Sequence, residues 1–205
     1  MCIRDSPGGV KRVVGVLAAI GLIALLIVAV NEGELALPEF GQPAVPVQDG
    51  GADAGGPVPI PAEAIPMRVE SITDGDTLKL STDEPGDLVT TTNPIAVRLI
   101  GIDTPEVYPE LECFGTEAED ELARLAPRGS TLWVAPDEDS WDDYDRRLFY
   151  LWTESGEFIN LTLVAGGFAE AIRVAPNDLH YDTLLAAERE AVLAGLGMWG
   201  ECSTP

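Results

Sequence analysis

An unbroken apolar run from Val13 to Val30, without a single charge, divides this 205-residue chain before any other feature is read. At a helical rise of about 1.5 Å per residue such a run spans roughly 27 Å, close to the hydrocarbon thickness of a bilayer. A soluble core helix normally keeps a polar stripe, and this run has none. Arg4, Lys11 and Arg12 precede it and Glu32 and Glu34 follow. That bias predicts a cytoplasmic N-terminus over residues 1–12 and an exported C-terminal part. Residues 13–30 read as a transmembrane anchor or a signal segment. The anchor is favoured, because the run is long for a signal core and no clear small-x-small cleavage pattern ends it. The expected location is extracytoplasmic, membrane-anchored or secreted.

Residues 31–65 are rich in Pro, Gly and Ala, carry no sustained period, and read as a flexible linker. From residue 66 β-branched and alternating residues begin, so a single folded domain is expected over 66–202. From Pro66 onward the chain carries 9 Lys/Arg against 28 Asp/Glu, within a whole-chain net charge of -23. A polyanion ligand usually draws its affinity from Lys and Arg. Adaptation to high salt, where surface attraction is screened anyway, is one physical reading of so acidic a domain.

Met67–Ile72 and Thr77–Leu80 read as strands around the turn Thr73-Asp74-Gly75-Asp76. Ile95–Ile102 reads as a third, more buried strand, after a polar hairpin loop at Thr82–Pro94. Thr116-Glu117-Ala118-Glu119 matches a capping box, so a helix is expected from Thr116, with Ala118, Leu122 and Leu125 on one face and Pro127 as its stop. Thr131–Ala135 and Leu148–Trp152 read as two further strands. Asn160–Ala165 and Asp182–Leu193 read as helices, the latter capped by Gly195. Five short strands with helical additions fit a β-barrel with helices (α+β), for which a five-stranded OB-fold barrel with three helices is a natural candidate.

Three features could carry chemistry. Asp74-Gly75-Asp76-Thr77 is, taken alone, a hairpin turn, and no EF-hand loop follows it. Arg98-Leu99-Ile100-Gly101-Ile102-Asp103-Thr104-Pro105-Glu106 sets an arginine inside an apolar strand and a dense acidic corner at its exit. By strict alternation Arg98, Ile100 and Ile102 share one face, while Leu99, Gly101 and Asp103 share the other. A buried arginine needs a partner. Tyr144-Asp145-Arg146-Arg147-Leu148, after the acidic loop Asp137–Asp143, otherwise reads as an ordinary basic strand entry.

The order DGDT, RLIGIDTPE, ECFGTEA, YDRRLFYLW and a late Pro-Asn with a following His resembles the thermonuclease family of staphylococcal nuclease, over about Met67 to Trp199. The resemblance implies an SNase-like barrel and a calcium-dependent endonuclease acting on DNA and RNA. It would break the 5′ O–P bond and leave 3′-phosphate ends. It implies Asp76, Asp103 and the Thr104 carbonyl as Ca2+ ligands, Glu106 as general base, Arg98 and Arg146 on phosphate oxygens, and Tyr144 as a substrate contact. Two fixed guanidinium forks suit a transition state that gains negative charge. The sequence departs from the family pattern at Asp143, where a Lys often stands, and at Ala171–Val174, which lacks the aromatic that often stacks on a base.

His180 is the sole histidine, so a His-based nuclease, a zinc site or a Ser-His hydrolase is hard to build. It reads as a polar residue leading into the last helix. Cys113 and Cys202 are the only cysteines after the apolar run. In an oxidising compartment they are the candidate disulfide, worth roughly 4–5 kcal/mol by loop closure. No protein partner is implied and a monomer is expected. Membrane contact would come through residues 13–30 if they stay uncleaved. The competing reading is a tethered, catalytically weak or inactive OB-type nucleic-acid-binding module. Against it stands the full set of Asp76, Asp103, Glu106, Arg98 and Arg146, which binding alone would not require.

Overall fold

The computed structural model describes residues 57–202. The anchor or signal expectation at 13–30, and most of the linker expectation at 31–65, fall on residues outside that range. Among the described residues no helix is long and apolar enough to cross a membrane. Three strands come first: β1 (Ile65–Ile72), β2 (Thr77–Ser81) and β3 (Ile95–Leu99). A short β4 (Ile102–Asp103) and helix α1 (Gly115–Leu125) follow, then β5 (Thr131–Ala135), β6 (Arg147–Thr153) and helix α2 (Ile159–Ala165). A short β7 (Glu170–Ala171) precedes helices α3 (Tyr181–Ala194) and α4 (Met198–Glu201).

The larger strands close into a barrel in the order β1-β2-β3-β6-β5. β3 and β6 run parallel; the other neighbours are antiparallel. This is the expected OB-type barrel with helices. Its interior follows from alternation. Met67 and Val69, Leu78 and Leu80, Val97 and Leu99, Leu132 and Val134, and Phe149 and Leu151 are all buried. Each such side chain contributes about 1.5–3 kcal/mol on leaving water. β6 is buried on its second face as well, where Tyr150 and Trp152 meet Phe158 and His180. His180 thus packs its ring against aromatic edges at the start of α3, with no side-chain cap. The barrel also begins earlier than the composition suggests. Val58 and Ile60 pack against the core, and the Val58 carbonyl accepts the Trp152 indole N–H at 2.9 Å.

Two local expectations are corrected. The third strand does not run on to Ile102. It breaks after Leu99, because Gly101 adopts φ +78°, a conformation L side chains rarely take, and a Cβ there would stand 2.9 Å from Leu184 Cδ1. Buried Asn160 fixes the break by accepting from Leu151 N at 3.0 Å and donating to the Ile100 carbonyl at 2.9 Å. The chain resumes as β4, which pairs with β7 instead of extending the barrel. The capping box at Thr116–Glu119 is not used either. α1 starts one residue earlier, behind Phe114 in the left-handed region, with no side-chain cap. Its buried face of Ala118, Leu122 and Leu125 is the one expected. Gly195 closes α3 in the left-handed conformation, also as expected. Cys113 and Cys202 form a disulfide with Cα atoms 5.9 Å apart.

Candidate active site

The site is built where the β1–β2 turn, the end of β3 and the β4 exit meet. In the turn, Thr73 N and Asp74 N both donate to the Thr77 carbonyl, and Asp76 N donates to the Asp74 carboxylate at 3.1 Å. The side chain of Asp74 thereby mimics a backbone turn. Gly75 is needed for closeness: a Cβ on it would stand 2.7 Å from Thr104 Oγ1 and 2.9 Å from Ala118 Cβ. The turn therefore docks directly onto Thr104 and α1, and this docking carries Asp76 inward.

Asp76 is 1% exposed. Its Oδ1 accepts from Thr77 Oγ1 at 3.1 Å, its Oδ2 accepts from Thr104 N at 3.1 Å, and Arg98 Nη1 pairs with it directly. Burial pushes its carboxyl up to about 7, against the opposing pull of the Arg98 guanidinium. Arg98 also donates through Nη2 to Asp103 Oδ1 at 2.5 Å and to the Ile102 carbonyl at 3.2 Å. One guanidinium therefore spans both carboxylates. Strict alternation set Arg98 and Asp103 on opposite faces. The break at Gly101 removes that constraint and turns Asp103 back toward the arginine.

Arg146 reaches the same neighbourhood from the start of β6. Asp145 before it is in the left-handed region at φ 64°. Asp142 holds the turn by accepting Tyr144 N at 2.9 Å, Arg146 N at 2.8 Å and Arg146 Nε at 2.6 Å. Burial would raise the Asp142 carboxyl, but these hydrogen bonds from Arg146 and Tyr144 outweigh it and hold it below its ordinary value. Arg146 Nη1 lies 3.5 Å from Thr77 Oγ1, so Thr77 links this arginine to the Asp76 carboxylate. Tyr144 is 81% exposed, its ring centroid 5.5 Å from the Arg146 guanidinium carbon.

Glu106 leaves β4 behind Pro105. Its carboxylate is exposed and makes no hydrogen bond among the described residues, while its backbone is tied to Glu112 in both directions. Glu170 faces Asp103 across the β4–β7 pair. Burial raises its carboxyl, and Glu188 and Asp103 add to the rise. Sequence reasoning gave no role of their own to Thr77, Asp142, Glu112 and Glu170. An acid four residues before Arg146 was a readable signal for Asp142. Glu170 carried none, because β4–β7 pairing depends on the fold.

Residues 96–201 match the sequence model of the family described as staphylococcal nuclease homologue. The chain belongs to this family. It is 32% identical over 143 residues to the endonuclease YhcR of Bacillus subtilis (strain 168), covering 65% of this chain and 11% of that protein. It is 30% identical over 134 residues to the thermonuclease of Staphylococcus intermedius, covering 64% of this chain and 74% of that protein. The chain thus spans about a tenth of the first relative and about three quarters of the second. Asp76, Arg98, Asp103 and, through Thr77, Arg146 are linked by direct contacts; Arg98, Asp103 and Arg146 lie in the matched range, and Asp76 and Thr77 precede it. Glu106 and Tyr144 stand on adjoining exposed segments and lie outside that network.

The donor set can be tested against a metal. Among the described residues no group of three or more His, Cys, Asp or Glu is arranged to hold an ion. His180 packs among aromatic rings, and Cys113 and Cys202 are consumed in the disulfide. What converges on Arg98 is two carboxylates, hard oxygen donors, and a guanidinium already draws both to one point. That chemistry fits Ca2+, which accepts water and substrate oxygens in the rest of its shell. It does not fit a tetrahedral N/S site.

Proposed function

We propose that this domain is a calcium-dependent endonuclease that hydrolyses phosphodiester bonds of DNA and RNA, breaking the 5′ O–P bond and leaving 3′-phosphate ends. The observation that carries the reading is the bridging of Asp76 and Asp103 by Arg98, with Arg146 tied in through Thr77. Four charged groups of this kind converge in a member of a nuclease family, and a plain binding barrel has no use for all of them.

In this reading Asp76, Asp103 and the Thr104 carbonyl would hold Ca2+, which would supply positive charge to offset the negative charge of the phosphate. Arg98 and Arg146 orient the phosphate and stabilise the charge that gathers on its oxygens as water adds. For that, Arg98 turns part of its fork from the carboxylates to the substrate. Glu106 accepts the proton of the attacking water and later releases it to solvent, the 5′ oxygen leaves with the bonding electron pair and takes a proton from solvent to become an alcohol, and the phosphate stays on the 3′ side. Tyr144, exposed beside Arg146, contacts the substrate phosphate or sugar. Attack on the backbone needs no base readout, so little sequence preference is expected. We place this activity outside the cytoplasm, a location supported by the apolar run at 13–30 and by the disulfide.

Digestion of single-stranded DNA and of RNA with Ca2+ or with EDTA tests the reading. Cleavage is expected with calcium alone, and Glu106→Gln should lower kcat by about 10²–10⁴-fold. A parent protein that cleaves neither substrate when calcium is added sinks the proposal. Binding without turnover under those conditions would favour the OB-type binding module.

A further inference from the structure

A general base must stand within hydrogen-bond reach of the water it activates. Among the described residues the exposed Glu106 carboxylate makes no hydrogen bond of its own, so there its backbone is what aims it. Among the described residues the hydrogen bonds of that backbone go to one neighbour. Glu106 N donates to Glu112 Oε2 at 2.9 Å, and Glu112 N donates to the Glu106 carbonyl at 2.9 Å. Gly115 closes against the same carbonyl, where a Cβ would stand 2.6 Å from the oxygen. Residues 108–111 loop out between the two glutamates, with Tyr108 and Leu111 exposed, and give Glu106 no such support.

The Glu112–Gly115 segment is fastened in its turn. Cys113 is bonded to Cys202 beyond α4. The Phe114 ring lies 5.5 Å from that of Phe168, and Gly115 N donates to the Glu112 carbonyl at 3.1 Å. A path of contacts thus runs from the C-terminal end of the domain through a covalent bond to the backbone of Glu106. We propose that Glu112 is a positioning residue for Glu106, and that the Cys113–Cys202 disulfide keeps the segment bearing Glu112 in place. The proposal rests on the reading of Glu106 as the base.

The chemistry of Glu112 makes the role testable. A glutamine can still accept the Glu106 N–H through its amide oxygen, whereas alanine cannot. A misplacement near 1 Å can cost about 10²-fold in rate. Glu112→Ala should therefore lower kcat about 10- to 100-fold, with KM moved far less, and Glu112→Gln should recover most of that loss. Exchange of the Glu106 amide hydrogen should be about 10-fold faster in Glu112→Ala and return toward the parent rate in Glu112→Gln. The paired variant Cys113→Ser with Cys202→Ser should lower kcat at temperatures well below its melting point. Adding Glu112→Ala to it should cost less than in the disulfide-bonded protein.

Unchanged amide exchange in Glu112→Ala would overturn the proposal. So would a loss that glutamine does not recover, or an effect confined to KM. Should the serine variant not fold, brief reduction of the folded parent at low temperature, read by the same exchange, replaces it. A parent protein that cleaves nothing would remove the nuclease reading, and the Glu106 amide exchange would still decide the positioning claim.

Discussion

Replacing Arg98 with methionine isolates the energetic centre of the site. Its two ion pairs differ in one decisive respect: the Asp76 side chain is 1% exposed and that of Asp103 is 54% exposed. Removing the partner of a buried charge costs about 3–5 kcal/mol, because the charge left behind has no water to turn to. An exposed pair contributes about 0–1 kcal/mol. Asp76 keeps the Thr77 hydroxyl and the Thr104 N–H, so the lower end applies, and Arg98→Met should destabilise the domain by about 3 kcal/mol. For a domain of this size that lowers the melting temperature by about 10 °C. Asp103→Asn should stay within about 1 kcal/mol of the parent. Urea unfolding at about pH 9 in EDTA with the disulfide intact measures both: a carboxyl pushed up to about 7 is ionised there, whereas near neutrality it would take up a proton in place of its lost partner, and EDTA removes any contribution from a bound cation. The paired variant Asp76→Asn with Arg98→Met should regain at least half of the loss, because the stranded charge is then absent. The reasoning fails if Arg98→Met costs under about 1 kcal/mol, or if Asp103→Asn costs as much.

Three further outcomes are expected. Asn160→Ala leaves both Leu151 N and the Ile100 carbonyl unpaired in the core and should destabilise by about 2–4 kcal/mol in urea unfolding, against near-parent values for a surface alanine. Opening the Cys113–Cys202 bond, which joins residues 89 apart, should cost about 4–5 kcal/mol, read as a lower urea midpoint with reductant than without. Burial holds His180 below its ordinary value, so the unfolded chain takes up the proton first as pH falls. The stability this contributes is complete above about pH 6.5 and declines as pH drops toward the folded value. His180→Phe should flatten that part of the stability–pH curve.

The barrel was legible because its strands alternate. Met67/Val69, Leu78/Leu80 and Leu132/Val134 announce an inner face at period two, and the helix face Ala118, Leu122, Leu125 announces itself at period 3.6. Arg98 was legible as a group in need of a partner, because an arginine in an apolar strand cannot be left unpaired. Its second partner was not. Alternation put Asp103 on the far face, and only the left-handed Gly101, the Asn160 clip and the pairing of β4 with β7 bring it round. The first of these is a local conformation that glycine permits without demanding it, and the other two are long-range contacts. The start of α1 was misread for a related reason. Thr116 and Glu119 could cap a helix, but Gly115 must enter first to let the helix end meet the Glu106 carbonyl. Glu112 read as one acid among many in an acidic domain. Its importance lies in the one backbone N–H it accepts, a relation that composition cannot express.

The disulfide also makes most of this domain a closed covalent circle. Residues 113 to 202, which include α1, β5, β6, α2, β7, α3 and α4, lie inside it, and β1 to β4 lie outside. A single proteolytic cut in the acidic loop Asp137–Asp143 falls within the circle, so the two pieces migrate together on a denaturing gel until a reductant is added. A cut in the loop Thr82–Pro94 falls outside and releases β1 and β2 from the rest under the same conditions. The two loops thus differ in what a cut does to the chain: one opens a ring, the other severs a strand.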